Sequence, residues 1–274
     1  MNDEIVARIK GMLTDLAKQI VLTETAASGQ RGVLRCDATR VGSVRAAMDQ
    51  VPGLLQHCHA LAIEYRLTRK LEKAAGIDPV LSPLLQALIG SDTPGVAEAA
   101  MAGLTAQARF GQTQSRMELP LNELPADLFH AVLVAWKDAS QMRGSDTAIR
   151  AEARLRNAFD EGQTRLSLLS RLTVGLCEQS SPMPDVIEAG VAIFLTVLAG
   201  RSQQSRDRTV LSSASPQACR LAIALRATGL APGDAQRVLH QLDPQAELAC
   251  EIAALDPATA RALLAERVVQ RAEV

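Results

Sequence analysis

The sequence predicts an all-α protein built from short helices stacked as hairpins, and three observations predict it. Apolar residues make up 47% of the chain while aromatics make up only 2%: one Trp, one Tyr and four Phe among 274 residues. The apolar fraction is therefore mainly Ala, Leu, Val and Ile. Ala and Leu favour helices, whereas strands usually draw on the aromatics as well. The second observation is a recurring helix-start signal, a Ser, Asp, Thr or Ala before a Pro. It occurs at Asp78-Pro79, Thr93-Pro94, Ser215-Pro216, Ala231-Pro232, Asp243-Pro244 and Asp256-Pro257. Ser, Thr and Asp cap free N–H groups, and Pro suits the first helical position because its missing N–H has no partner there. The third is spacing. In the last third these starts recur every 12 to 16 residues, the rhythm of short stacked helices.

Element by element, Ile5, Ile9, Met12, Leu13, Leu16 and Ile20 fall at spacings of three and four and predict an amphipathic helix over 3–24. The polar, Gly-containing stretch 25–40 reads as a loop, with Val33-Leu34 briefly extended. A helix over 41–51 is broken by Pro52-Gly53. A longer one over 54–75 stops at Gly76, a common C-terminal cap. Residues 79–90 and 94–111 form a predicted hairpin. Residues 112–124 are irregular: Met117, Leu119 and Leu121 alternate, but Pro120 interrupts them, which argues for an extended connector rather than a strand. Helix returns over 126–142.

Met142-Arg143-Gly144-Ser145 is the expected domain boundary, giving an N-terminal helical region 1–142 and a C-terminal repeat region 146–274, with one continuous domain as the alternative. Beyond it lies a long helical stretch, 147–179, bent at Gly162. Helices are then predicted over 184–200, 206–213, 216–228, 232–242, 244–254 and 257–271. Short helical pairs cannot bury their apolar faces alone and must stack on neighbours.

Three segments together resemble a known family. They are Asp78-Pro-Val-Leu-Ser-Pro-Leu-Leu-Gln-Ala-Leu-Ile89, Ala106-Gln-Ala-Arg-Phe110, and Arg116-Met-Glu-Leu-Pro-Leu-Asn-Glu-Leu-Pro-Ala-Asp-Leu-Phe-His130. The stretch 70–240 is similar to an uncharacterised alphaproteobacterial family, a domain of unknown function with HEAT-like helical repeats. The resemblance implies an irregular HEAT-like repeat and a bacterial cytoplasm. It implies no activity and no functional residues.

The net charge of −1 gives no global attraction to nucleic acid or to an anionic membrane. No apolar run reaches the roughly 18–20 residues that span a bilayer. The acidic start Met1-Asn2-Asp3-Glu4 lacks the basic region of a secretory signal, so the expected location is cytoplasmic. The five cysteines, Cys36, Cys58, Cys177, Cys219 and Cys250, are widely spaced and include no C-x-x-C pair. They read as buried or half-buried thiols.

Candidate sites are few. His57-Cys58-His59 fails as a metal pair because helical residues two apart point roughly 200° apart, whereas a shared ion needs spacings of three or four. Phosphotransfer requires an exposed His on a helical bundle, often followed by an acidic residue that assists the transfer. His57, His59, His130 and His240 are followed by Cys58, Ala60, Ala131 and Gln241, and His59 is the best of them because Glu64, Arg66 and Lys70 lie further along its helix. Asp127 near His130 is explained by the helix dipole. There is no phosphate-loop, dinucleotide, nucleophile-elbow or zinc-protease motif. Gly29-Gln-Arg-Gly32 reads as a turn, and Arg201, Arg206 and Arg208 with Asp207 read as a small solvated basic loop.

The segment 216–242 resembles a helix-turn-helix, with Gly229 in the turn. Arg237 is the only fixed positive charge on its second helix. Residues 230–274 carry four Arg against seven acidic residues, a net of −3, which makes a poor DNA surface. The expected function is non-catalytic protein–protein interaction of a regulatory kind, not an enzyme, with no cofactor and no metal. The protein partner is unidentified and homo-oligomerisation is open. Nucleic acid and membrane are not expected. Histidine phosphotransfer through His59 and DNA binding through 216–242 are the alternatives.

Overall fold

The structure, a computed structural model, describes residues 3–29, 37–93, 95–139, 145–178, 182–214 and 217–269. Every regular element among them is helical. In chain order these are α1 (Asp3–Ala27), α2 (Ala38–Met48), α3 (Leu54–Ala75), α4 (Pro83–Ile89), α5 (Val96–Ser115), α6 (Ala126–Ala139), α7 (Asp146–Ala158), α8 (Arg165–Cys177), α9 (Val186–Ser202), α10 (Arg206–Ser212), α11 (Ala218–Ala227), α12 (Pro232–Leu242), α13 (Cys250–Ala253) and α14 (Pro257–Val269). Single 3₁₀ turns lie at Leu121–Glu123 and Glu161–Gln163.

The chain divides into two compact units. Unit 1 comprises 1–62 and 106–168, and unit 2 comprises 63–105 and 169–274. The divisions fall inside α3, α5 and α8, and residues 142–144 of the expected boundary lie outside the described residues. Within unit 1, α7, which follows the expected boundary, packs on α1.

In unit 1 the predicted apolar stripe of α1 is covered within the unit. Ile5, Ile9, Met12, Leu13, Leu16 and Ile20 are all at most 5% exposed, and α2 and α7 pack on the helix. Glu24, on the same helix, is also buried. It accepts from the Trp136 indole N–H at 2.6 Å and from two guanidinium nitrogens of Arg40 at 3.1 and 2.5 Å. Helix α2 starts three residues earlier than predicted because the Asp37 carboxylate caps Thr39 N–H at 2.9 Å. Val33-Leu34 lies outside the described residues.

Unit 2 is organised around α9, which is apolar on all sides. Residues Val191–Ala199 are buried without a break. The helix is kinked at Gly190, whose φ of 71° and ψ of 162° are not helical; a Cβ there would come within 3.1 Å of the Ser82 side chain. Helices α4, α10 and α11 pack on α9, and α11 also receives α12, α13 and α14. Among the described residues no single helix is long and apolar enough to cross a membrane. Only α9 and α10 taken together, bent by 111°, reach that length and hydropathy.

The Pro-based start signal holds in part. Pro232 opens α12 and Pro257 opens α14, where Asp256 caps Ala258 and Thr259 N–H at 2.9 and 3.0 Å. Pro94 and Ser215-Pro216 lie outside the described residues. Asp78 instead folds a tight turn, accepting from Val80 and Leu81 N–H at 2.7 and 2.9 Å, and α4 waits for the cap at Ser82 with Pro83 behind it. The helix predicted over 244–254 is replaced by a turn and the single-turn α13. Gln236 holds that turn by donating to Ala246 O and accepting from Leu248 N–H at 2.6 Å. The stretch 147–179 is two helices rather than one bent helix, because Asp160 accepts from Gly162 N–H at 2.9 Å and stabilises the 3₁₀ turn between them.

Candidate ligand cavity in unit 1

The local structure that matters most begins on α1. Gly11, Asp15 and Gln19 recur every four residues and so share one face of the helix. Against this face lies the extended connector between Arg116 and Pro120. A Cβ on Gly11 would meet Met117 Cβ at 2.6 Å and Met117 O at 2.8 Å, so only Gly permits this approach. Met117 itself sits at φ 59°, in the left-handed region. Four residues on, the Asp15 carboxylate accepts from Leu119 N–H at 3.0 Å and from the Gln19 amide at 2.7 Å. Gln19 also donates to Leu119 O at 2.9 Å and accepts from Leu121 N–H at 2.9 Å. The two backbone donors used flank Pro120, which has none. Side chains of a helix thus take the place of a neighbouring strand. Burial raises the Asp15 pKa above the usual carboxylate value of 3.8, against hydrogen bonds from Leu119 and Gln19 that lower it.

The fixed connector forms one wall of a cavity of about 590 Å³. The second half of α5 and the 158–166 segment form the others. At its base lies Arg165, 3% exposed. Its guanidinium sits 3.7 Å over the centre of the Phe110 ring and donates to Gln107 Oε1 at 3.0 Å, and its backbone N–H donates to Glu123 at 2.8 Å. Glu123 also bridges Arg109 at 3.5 Å, while Arg116 reaches Glu118 at 3.8 Å. Gln114 is buried. Its amide donates to Met12 Sδ and to Glu118 O, and its carbonyl oxygen has no hydrogen-bond partner. The amide side chains of Gln112, Asn122 and Gln163 complete the polar lining.

Beside it runs an apolar groove of about 340 Å³ lined by Leu22, Leu121, Phe129, Leu155 and Phe159, with Gln19 and Thr23 at its edge. Phe129 and Phe159 stack with ring centres 4.1 Å apart and planes 7° from parallel. Both volumes fall within or near the range of small-ligand sites.

The sequence pointed elsewhere. His57 is buried and His59 half-buried on α3; His130 and His240 are exposed. The His130 ring nitrogen lies 3.4 Å from Arg156, not against Asp127. In 216–242, Leu225, Val238 and Leu239 are at most 5% exposed, and Gly229 makes the turn at φ 88°. Arg237 is exposed and pairs with Asp234. The expected basic loop is not solvated. Arg201 is 4% exposed and donates to Leu176 O at 2.9 and 2.7 Å and to Pro182 O. Arg206 pairs with the fully buried Glu64 at 2.9 and 2.7 Å. Cys58 is buried and Cys177 half-buried, but Cys219 and Cys250 are exposed, contrary to expectation; Cys36 lies outside the described residues. Among the described residues, no group of three His, Cys, Asp or Glu could hold a metal ion.

The cavity residues escaped the sequence reading because they come from three separate segments. One signal did exist: the 112–124 stretch, aperiodic and interrupted by Pro120, is the kind of long irregular connection that carries binding functions. Compared with protein-family models, with curated proteins and with solved structures, the chain matches none of them.

Proposed function

We propose that the chain is a non-catalytic, regulatory interaction protein of the bacterial cytoplasm that receives a protein partner on the cavity-bearing face of unit 1. Its helices stack in an irregular, HEAT-like manner. The pairwise packing of α9 with α10, α10 with α11 and α11 with α12 supports that reading of the fold. The observation that carries the function is the connector wall. A stretch of chain without regular structure is fixed by hydrogen bonds to Asp15 and Gln19, and it borders an open cavity lined by both polar and apolar groups instead of closing over it. A preformed surface of this kind lowers the ordering cost of binding. A second copy of the chain is one candidate partner, which sedimentation velocity reads directly.

The test is cross-linked capture from native bacterial lysate with the wild-type chain and with Asn122→Arg, which places a bulky charge in the cavity mouth. A protein retained by the first and lost by the second is the expected result. Two outcomes would overturn it. One is tight, salt-sensitive DNA retardation abolished by Arg237→Ala. The other is phosphoryl uptake from a phosphorelay donor that a folded His59→Gln variant loses.

A further inference from the structure

The cavity and the groove adjoin: Asn122 and Ala158 line both. A ligand lying across them meets two chemistries in succession, first stacked aromatic rings and aliphatic side chains, then a lining that mixes side-chain amides with charged groups. We infer that unit 1 binds an extended peptide segment of a partner protein. One large apolar side chain sits in the groove against Phe129, Phe159, Leu22 and Leu155. The adjoining main chain passes Asn122 into the cavity. This rests on the reading of the chain as an interaction protein.

The amides are the reason for choosing a peptide main chain. A side-chain amide offers donor and acceptor on one planar group, the same pair that a peptide group presents. Gln112, Asn122 and Gln163 are exposed and make no side-chain hydrogen bond to the described residues. Gln114 adds, on the same lining, a buried carbonyl oxygen without a donor. The charges point the same way. Arg109, Arg116 and Arg165 line the cavity together with Glu123 and Asp160, and Arg109 is already bridged to Glu123. The near balance gives no strong field for a phosphate or a nucleic-acid backbone, whereas an uncharged main chain loses nothing by it. The groove supplies what amides cannot, a desolvated anchor. The parallel Phe129 and Phe159 rings form one of its walls, and Leu22, 37% exposed, stands on the lining ready to be covered.

The experiment uses the full chain and a phage-displayed library of random twelve-residue peptides. Enriched peptides are expected to share one large apolar residue at a fixed position. Fluorescence anisotropy then measures a synthetic representative. Leu155→Arg and Leu22→Arg should each weaken it at least tenfold, and Asn122→Ala several-fold. Val174→Arg on unit 2, where Val174 is 65% exposed, should leave it unchanged. Methylating the main-chain nitrogens beside the anchor should weaken binding at least tenfold, a loss that a purely hydrophobic contact would not show. Leu22 is exposed enough that its variant will fold, and circular dichroism checks both groove variants. Failure of any sequence to enrich, or binding indifferent to both groove variants, overturns the peptide site. A lysate partner that survives both groove variants would also overturn it while leaving the interaction reading intact.

Discussion

Asp15 in unit 1 and Glu64 in unit 2 are both carboxylates drawn out of water on long helices, and the chain treats them in opposite ways. Glu64 is 0% exposed and meets a cation, taking two hydrogen bonds from Arg206, whose third nitrogen donates to Thr196 at 2.9 Å. Burial alone would lower the Arg206 pKa, but the Glu64 charge and its hydrogen bonds outweigh that and hold it above its ordinary value. Asp15 takes its hydrogen bonds from neutral groups, a backbone N–H and an amide, and burial raises its pKa. The difference teaches what each carboxylate is for. An ion pair locks side chain to side chain inside a core. A carboxylate facing neutral donors positions a backbone, and its ionisation remains a cost.

The largest test of this contrast is Glu64→Ala. It leaves a largely buried guanidinium without its bonded counter-charge, Asp207 alone remaining nearby, and a loss of about 3 kcal/mol in urea unfolding is expected. Replacing both partners by apolar residues, Glu64→Leu with Arg206→Met, should recover most of that loss. If the single and double variants were equally unstable, the pair would matter through its shape rather than its charge.

Gly11→Ala probes the other side. In an open helix this change gains up to about 1 kcal/mol. Here the new Cβ meets Met117 at 2.6 and 2.8 Å, and overpacking costs about 1–3 kcal/mol. A net loss of about 1–2 kcal/mol is expected, accompanied by weaker partner capture because the wall must shift. A variant more stable than wild type would show that the connector is free to retreat.

The smallest effect belongs to Asp15→Asn. Both hydrogen bonds reach one carboxylate oxygen, which the Asn carbonyl can replace. The folded pKa lies above 3.8, so the folded chain binds the proton more tightly than the unfolded one. Stability must then fall as pH rises from 3.8 through the folded value. The Asn variant lacks that decline. Thermal melts should find it slightly more stable than wild type at pH 7, with the advantage vanishing towards pH 4. An advantage that grew on acidification would reverse the assignment.

Much of the fold was legible because burial leaves a period in the sequence. Helices α1, α3 and α12 stand where spacing and start signals put them. The failures share a cause. Asp37, Asp78, Ser82, Asp160 and Gln236 each bond a side chain to a nearby backbone group and so move or replace a helix end. Such residues are polar in helices and turns alike, and pattern does not reveal their partner. The cavity was less legible still. Its wall joins residues 11–19 to 117–121, about a hundred positions away. Nothing in the pattern marks Arg165, whose partners Phe110 and Gln107 lie more than fifty residues away, and Arg201 and Arg206, read as a solvated loop, are held in the interior.

The bonds from α1 to the connector all end on main-chain atoms of Leu119 and Leu121. They hold whatever side chains the neighbouring positions carry. The Glu118 and Asn122 side chains take no part in these bonds, while Gly11, Asp15 and Gln19 on the helix, with Gln114 through Glu118 O, hold the wall. Shape is inherited from one segment and surface chemistry from another. Related chains could change what the cavity recognises by exchanging a few residues of the connector, and the scaffold behind it would not have to be rebuilt.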